Sequence, residues 1–218
     1  MSIRRVLAIA AHSLDETLGC GGVIAWHVDT GHEVHTLILF GDGSGRDSAR
    51  RENAQTAARI LGSTPPRFCG FPENRSDTVP LAEVIAAIER CVFDIRPDTI
   101  YVRHGGNLNV DHQTAFKACV TAARPVPHSP VRHIYTYEVL SSTNWAPEGT
   151  GRAFQPNRFV DITLQLERKL SALEVYGDEM RPAPHARSIQ TVRSLAQLRG
   201  ATVGFAAGEG FEVVRELA

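Results

Sequence analysis

The chain of 218 residues is 43% apolar and 22% charged, a composition with which one domain can bury its own core without disulfide staples or a structural metal. Basic residues number 23 and acidic residues 24, for a formal net charge of −1. So even a balance excludes the strong field that would draw the whole protein to nucleic acid or to an anionic membrane.

The chain opens with Met1 to Arg5 and an apolar run, Val6 to Ala11, which has the outline of a secretory leader until His12 and Asp15 cut it short. A buried first strand is the expectation, and no other segment has the apolar length of a membrane span. Further short runs rich in β-branched residues, Val34 to Phe40, Thr99 to Val102 and His133 to Val139, also read as strands. Between them, helical spacing covers Gly21 to Asp29, Arg46 to Leu61, Leu81 to Asp94 and Asp111 to Ala123. Gly31 and Gly62 punctuate two helix ends, and Pro80 stands near a helix start. This alternation predicts an α/β fold, a Rossmann-like, mostly parallel sheet flanked by helices, in a single domain over residues 1–218. From Ser141 to Arg152 the pattern loosens into a loop long enough to act as a lid. A short strand at Phe159 to Ile162 and helices at Leu164 to Tyr176 and Ser188 to Leu198 follow, with a proline-rich link, Arg181 to Arg187, between the helices. Cys20, Cys69, Cys91 and Cys119 are widely spaced among apolar neighbours, which suits buried reduced thiols and a cytoplasmic location.

The first strand delivers Ala11-His12-Ser13-Leu14-Asp15-Glu16, and a later one, ending at Arg103-His104, delivers Gly105-Gly-Asn-Leu-Asn-Val-Asp-His112. Ligands of open α/β sheets bind beyond the carboxyl ends of the strands, so His12, Asp15 and His112 can converge there. Two imidazoles and a carboxylate that leave one position open suit a catalytic zinc ion. Taken singly, each residue has a plainer reading: His12 as a hydrogen-bonded structural residue, Asp111 as a helix N-cap with His112 in the first turn. Two ligand-rich strand ends in one sheet shift the balance.

These motifs resemble the PIG-L/LmbE-like zinc deacetylases, whose Ala-His-Pro-Asp-Asp-Glu signature is matched by Ala11 to Glu16 and whose downstream Asp-His segment is matched by Leu108-Asn-Val-Asp-His112. The resemblance continues through Arg51-Glu52, Leu61-Gly62, Gly70 to Arg75 with Asp77, Tyr137 to Trp145, and Pro184-His-Ala-Arg-Ser188, and so spans nearly the whole chain. It implies Zn2+ held by His12, Asp15 and His112, and a water attacking the carbonyl of a small N-acylated substrate such as an amino sugar or glycosylated metabolite. Asp111 would orient an imidazole or contact substrate. Self-association is left open.

Two positions depart from the family pattern. Leu14 stands where the family has the first of two aspartates, its usual general base, and Asn109 stands where many members have a histidine that stabilises the oxyanion. Asn109 can still donate from its amide. Replacement bases to consider are His185, first because imidazole titrates near neutral pH, then His104, Asp42 and Glu16. Arg75 and Arg103 are candidates to bind an anionic group of the substrate, with His104 and Asp42 beside them as substrate contacts. Besides N-deacylation, the departures admit altered C–N bond chemistry at the same zinc site, or a ligand-binding homologue without turnover.

Overall fold

Alternate residues of the first strand, β1 (Arg5–Ala10), face opposite sides of one sheet: Val6, Ala8 and Ala10 enter one apolar cluster, while Leu7, Ile9 and Ala11 enter the other. A strand buried on both faces must lie inside a helix-covered sheet, and its near-continuous apolar run follows from that. The computed structural model describes residues 4–41, 43–146 and 152–218. It has the expected alternation: α1 (Asp15–Asp29), β2 (Glu33–Phe40), α2 (Gly45–Leu61), β3 (Arg67–Phe71), α3 (Leu81–Ile95), β4 (Thr99–Arg103), α4 (Val110–Ala122), β5 (His133–Tyr137), β6 (Arg158–Asp161), α5 (Leu166–Glu174), α6 (Ile189–Ala201) and β7 (Gly208–Glu216). Among the described residues no helix is long and apolar enough to cross a membrane.

The seven strands run in the order β3-β2-β1-β4-β5-β7-β6. Pairings among the first five are parallel, whereas β7 is antiparallel to both β5 and β6. Between β1 and β4, paired with Val6 opposite Thr99, the chain order reverses direction across the sheet. This is the switch point at which open α/β sheets leave a crevice beyond the strands' carboxyl ends. The apolar stripes of α1, α2, α5 and α6 fill one side of the sheet, and those of α3 and α4 the other.

Three elements differ from the sequence reading. The first helix begins at Asp15 and not at Gly21, with a break in its dihedrals at Cys20, where φ is −139°. The break frees two amides that the helix would otherwise use: Gly22 N–H and Val23 N–H donate to the buried Glu209 carboxylate at 2.9 and 2.7 Å. Strands β3 and β7 were not expected, because β3 is a five-residue edge strand behind Pro65-Pro66 and β7 starts Gly208-Glu-Gly-Phe-Glu212, with no apolar alternation to mark it. Gly19 is demanded by packing, since a Cβ there would stand 2.0 Å from the Tyr137 ring.

Candidate metal centre

His12 leaves β1 at the switch point, and three residues on Asp15 opens α1, so the first strand end projects an imidazole and a carboxylate over the crevice. From the neighbouring β4, the loop Gly105 to Asn109 turns the chain into α4, whose N-cap is Asn109: its Oδ1 accepts from Asp111 N–H at 2.8 Å and His112 N–H at 3.4 Å. The cap is therefore Asn109, and Asp111 is free for another duty. His112 comes to rest in the first turn, facing β1.

The three donor atoms meet. His12 Nδ1 lies 3.2 Å from His112 Nε2 and 3.7 Å from Asp15 Oδ2, and His112 Nε2 lies 3.4 Å from the same oxygen. Ligand atoms about 2.0–2.1 Å from a tetrahedral ion stand about 3.3 Å apart, so the triangle has the dimensions of one face of such a site. Among the described residues this is the group of histidine, cysteine and carboxylate side chains close enough together to hold a metal ion.

The protonation pattern is fixed from behind. His12 Nε2 lies 2.8 Å from Asp111 Oδ2, and His112 Nδ1 lies 2.8 Å from the side-chain Oδ1 of Asn107. Each acceptor draws the ring proton to the outer nitrogen and leaves a lone pair on the inner one, as metal-binding imidazoles require. Burial chiefly, then the nearby Arg103 charge, push the His112 pKa down to about 4, which keeps the ring neutral. Burial alone would raise the Asp15 pKa, but Arg103, His112 and His12 together hold it well below the usual carboxylate range. Asp111, likewise penalised by burial, is nonetheless lowered by its bonds to His12 and to the backbone amides of Asn74 and Ser76 at 2.5 and 3.1 Å.

Arg103 is not at the mouth of the site. It is fully buried, its Nη1 2.5 Å from Asp15 Oδ1 and 3.0 Å from His112 Nε2, and its Nη2 donates to Ser142 Oγ. Far from meeting a substrate anion, it holds the outer oxygen of Asp15, and a cation at the triad competes with it for the His112 lone pair. His104 is also turned away: Nδ1 lies 2.8 Å from Glu212 and Nε2 2.8 Å from the Arg152 carbonyl, beside a separate apolar cavity of about 390 Å3. Glu16 is buried, with one carboxyl oxygen accepting from the Thr17 and Tyr176 hydroxyls. Asn109 donates its amide to Asn74 Oδ1 at 2.7 Å. Arg75 is exposed at the head of a 3-10 turn, Ser76–Thr78, whose first amide, Ser76 N–H, donates to Asp111. His185 is half-buried against Trp145 with Nδ1 accepting from Arg187 N–H, and no hydrogen bond ties it to the triad among the described residues. Asp42 and the middle of the expected lid, residues 147–151, lie outside the described residues. The residues missed from the sequence are Asn74, Asn107 and Ser142. In sequence an Asn or Ser in a loop signals only a turn.

The family model PIG-L, GlcNAc-PI de-N-acetylase, matches residues 7–123. An uncharacterized deacetylase, YaiS, of Escherichia coli strain K12 is 28% identical over 78% of this chain and 88% of its own. The solved N,N'-diacetylchitobiose deacetylase of Pyrococcus horikoshii superposes with TM-score 0.76 at 21% identity, over 97% of this chain and 84% of that one. GalB of Pseudomonas putida KT2440, a 4-carboxy-2-hydroxymuconate hydratase, superposes with TM-score 0.75 at 22% identity, over 99% and 98%. These two superpositions show a shared fold.

Proposed function

This chain belongs to the PIG-L family, and from that membership we propose that it is a zinc-dependent hydrolase that removes an N-acetyl group from a small amino sugar or glycosylated metabolite. The observation that carries the proposal is the triad itself: three ligand atoms 3.2–3.7 Å apart, each imidazole with its outer nitrogen already engaged. His12, Asp15 and His112 would hold the ion, which when bound polarises an amide carbonyl and lowers the pKa of a water to about 7. Asp111 keeps the His12 ring in place and Asn107 does the same for His112, so metal geometry is set before substrate arrives. Asp15 remains an anion because Arg103 caps its outer oxygen. The family's description, GlcNAc-PI de-N-acetylase, and the fold shared with a diacetylchitobiose deacetylase support the substrate class.

His185 enters this scheme as a donor. With Nδ1 accepting from the Arg187 amide, its ring presents Nε2–H, suited to hydrogen-bond a developing oxyanion. To act as a base it must first give up that bond.

The test is metal analysis of protein purified without added zinc, paired with amine release from a panel of N-acetyl sugars. One zinc per chain, amine release, and loss of both in His12→Ala are expected. A second reading has support of its own: Leu14, 2% exposed, offers no proton acceptor where the family signature has its first aspartate, and a hydratase shares the fold. Full zinc occupancy with no amine released from any N-acetyl compound would move the assignment to water addition or other C–N chemistry at the same centre.

A further inference from the structure

A second cavity, of about 280 Å3, opens between the start of α2, the turn Gly177–Glu179 and the segments around Ser141 and Arg187. Arg46, Arg50, Arg181 and Arg187 line it, against only two carboxylates, Asp178 and Glu179, and Trp145 and His185 form an aromatic wall. Counting Glu73 as well, which holds Arg50 at 2.7 Å, the cluster still carries one positive charge in excess. Glu179 organises the guanidinium groups: one oxygen takes Arg50 at 2.6 Å and Arg46 at 3.5 Å, and the other lies 3.9 Å from Arg187. Arg181 has no ion-pair partner among the described residues, and Arg46 is 71% exposed. Several guanidinium groups held around one open space, one of them unpaired, form the fork geometry that oxyanions bind. An adjoining cavity of about 630 Å3 shares Arg46, Arg50 and Arg181, so there is room for a bulky group.

The cavity is wired to the metal centre on two sides. Arg187 Nε donates to Ser141 Oγ at 3.1 Å, and the next residue, Ser142, accepts from the same Arg103 that holds Asp15. On the other side Arg50 holds Glu73, whose neighbour Asn74 gives its amide to Asp111. Both walls of the cavity are thus continuous with the residues that hold Asp15 and Asp111, a placement suited to a substrate group remote from the reacting amide.

We propose that this cavity is an anion subsite: it binds a phosphate or carboxylate group carried by the N-acetylated substrate, so the protein's substrates are acidic N-acyl compounds and not neutral sugars. This rests on the hydrolase reading above, and the test separates the two. Amine release would be compared for N-acetylglucosamine, its 6-phosphate and N-acetylmuramic acid, with calorimetric titration of inorganic phosphate into the zinc-loaded protein alongside. An acidic compound should exceed the neutral sugar in kcat/KM by about tenfold or more, and Arg46→Gln/Arg181→Gln should bring that ratio to near one and weaken phosphate binding about tenfold. Both changed side chains are at the surface, and Arg132→Gln, on the far side of the sheet, should leave the ratio as it is. Whichever acid gains more identifies the group as phosphate or carboxylate. Equal rates across the panel overturn the subsite and leave the hydrolase standing. Should no compound release amine, the hydrolase reading falls and titration alone decides: phosphate binding that the two arginine changes weaken supports the subsite, while absent or unaltered binding overturns it.

Discussion

The inner lone pairs of His12 and His112 point at one another only because Asp111 and Asn107 occupy the outer nitrogens. Asp111 accepts three bonds, from His12 and from the amides of Asn74 and Ser76. Asp111→Ala therefore frees the His12 ring to turn and leaves two amides unpaired, and zinc affinity should fall about 10–100-fold by chelator competition. Unchanged affinity would mean that the triad needs no support from behind. Leu14 presents a different question. Its φ of 91° is a region that leucine rarely adopts and that aspartate tolerates better, so Leu14→Asp does not add backbone strain. If hydrolysis lacks a base, the change should raise amine release by about 10²–10⁴-fold, while the new buried carboxylate lowers the melting temperature. An unaltered rate would mean that another group already takes the proton. That His12, Asp15 and His112 converge was legible in the sequence because His-x-x-Asp and Asp-His each sit at a strand end. Their supports were not, because Asn107 and Asn74 look like any turn residue until the fold brings them under a ring or a carboxylate.

At the scale of elements, the kink of α1 and the late strand β7 explain each other. Glu209, on β7, accepts from the Gly22 and Val23 amides released by the kink and lies 2.6 Å from Lys169 Nζ on α5. All partners are buried, so Glu209→Ala strands an ammonium and two amides, and unfolding in urea should show a loss of about 3–5 kcal/mol. Lys169→Met in the same chain should recover part of that loss, because it removes the stranded charge. A loss under about 1 kcal/mol from Glu209→Ala alone would show that water reaches the site. The same arrangement explains what could be read in advance. Strands β1, β2 and β4 are apolar runs because both their faces are buried, and they were visible from composition alone. In β7 two inward positions are Glu209 and Glu212, each satisfied by partners far away in sequence, so nothing local announced a strand. Similarly, α1 was read from Gly21 because Gly19 to Gly22 looks like a turn, whereas Tyr137 and Ile162 press so close that only glycine fits at Gly19 and Gly22.

Across the whole molecule, two buried groups with opposite pKa displacements set how stability responds to acid. Burial, with the neighbouring His32 and Arg158 charges, lowers the His27 pKa to about 3 from 6.5. Burial, with the Asp15 carboxylate beside it, raises the Glu16 pKa to about 7 from 4.5. Between pH 6.5 and 3 the unfolded chain binds a proton at His27 that the folded chain refuses, so this histidine's contribution is complete above 6.5 and is lost as pH falls. Glu16 acts in the other direction: between pH 7 and 4.5 the unfolded carboxyl gives up a proton that the folded one keeps, so its penalty grows as pH rises and is relieved as pH falls. At about 1.4 kcal/mol per unit these two slopes nearly cancel from pH 6.5 to 4.5, but His112, lowered to about 4, adds an unopposed loss from 6.5 down to 4 in zinc-free protein, and His32, His35 and His133, all lowered by burial, act in the same direction. Urea midpoints of the zinc-free protein should therefore fall gently from pH 6.5 to 4.5, where Glu16 opposes the histidines, and more steeply just below it. Relative to the wild type, His27→Gln should make the fall across that window shallower, and Glu16→Gln should make it steeper. Parallel profiles for the wild type and both variants would show that neither group titrates apart from its unfolded value, and that the interior admits charge more readily than its burial implies.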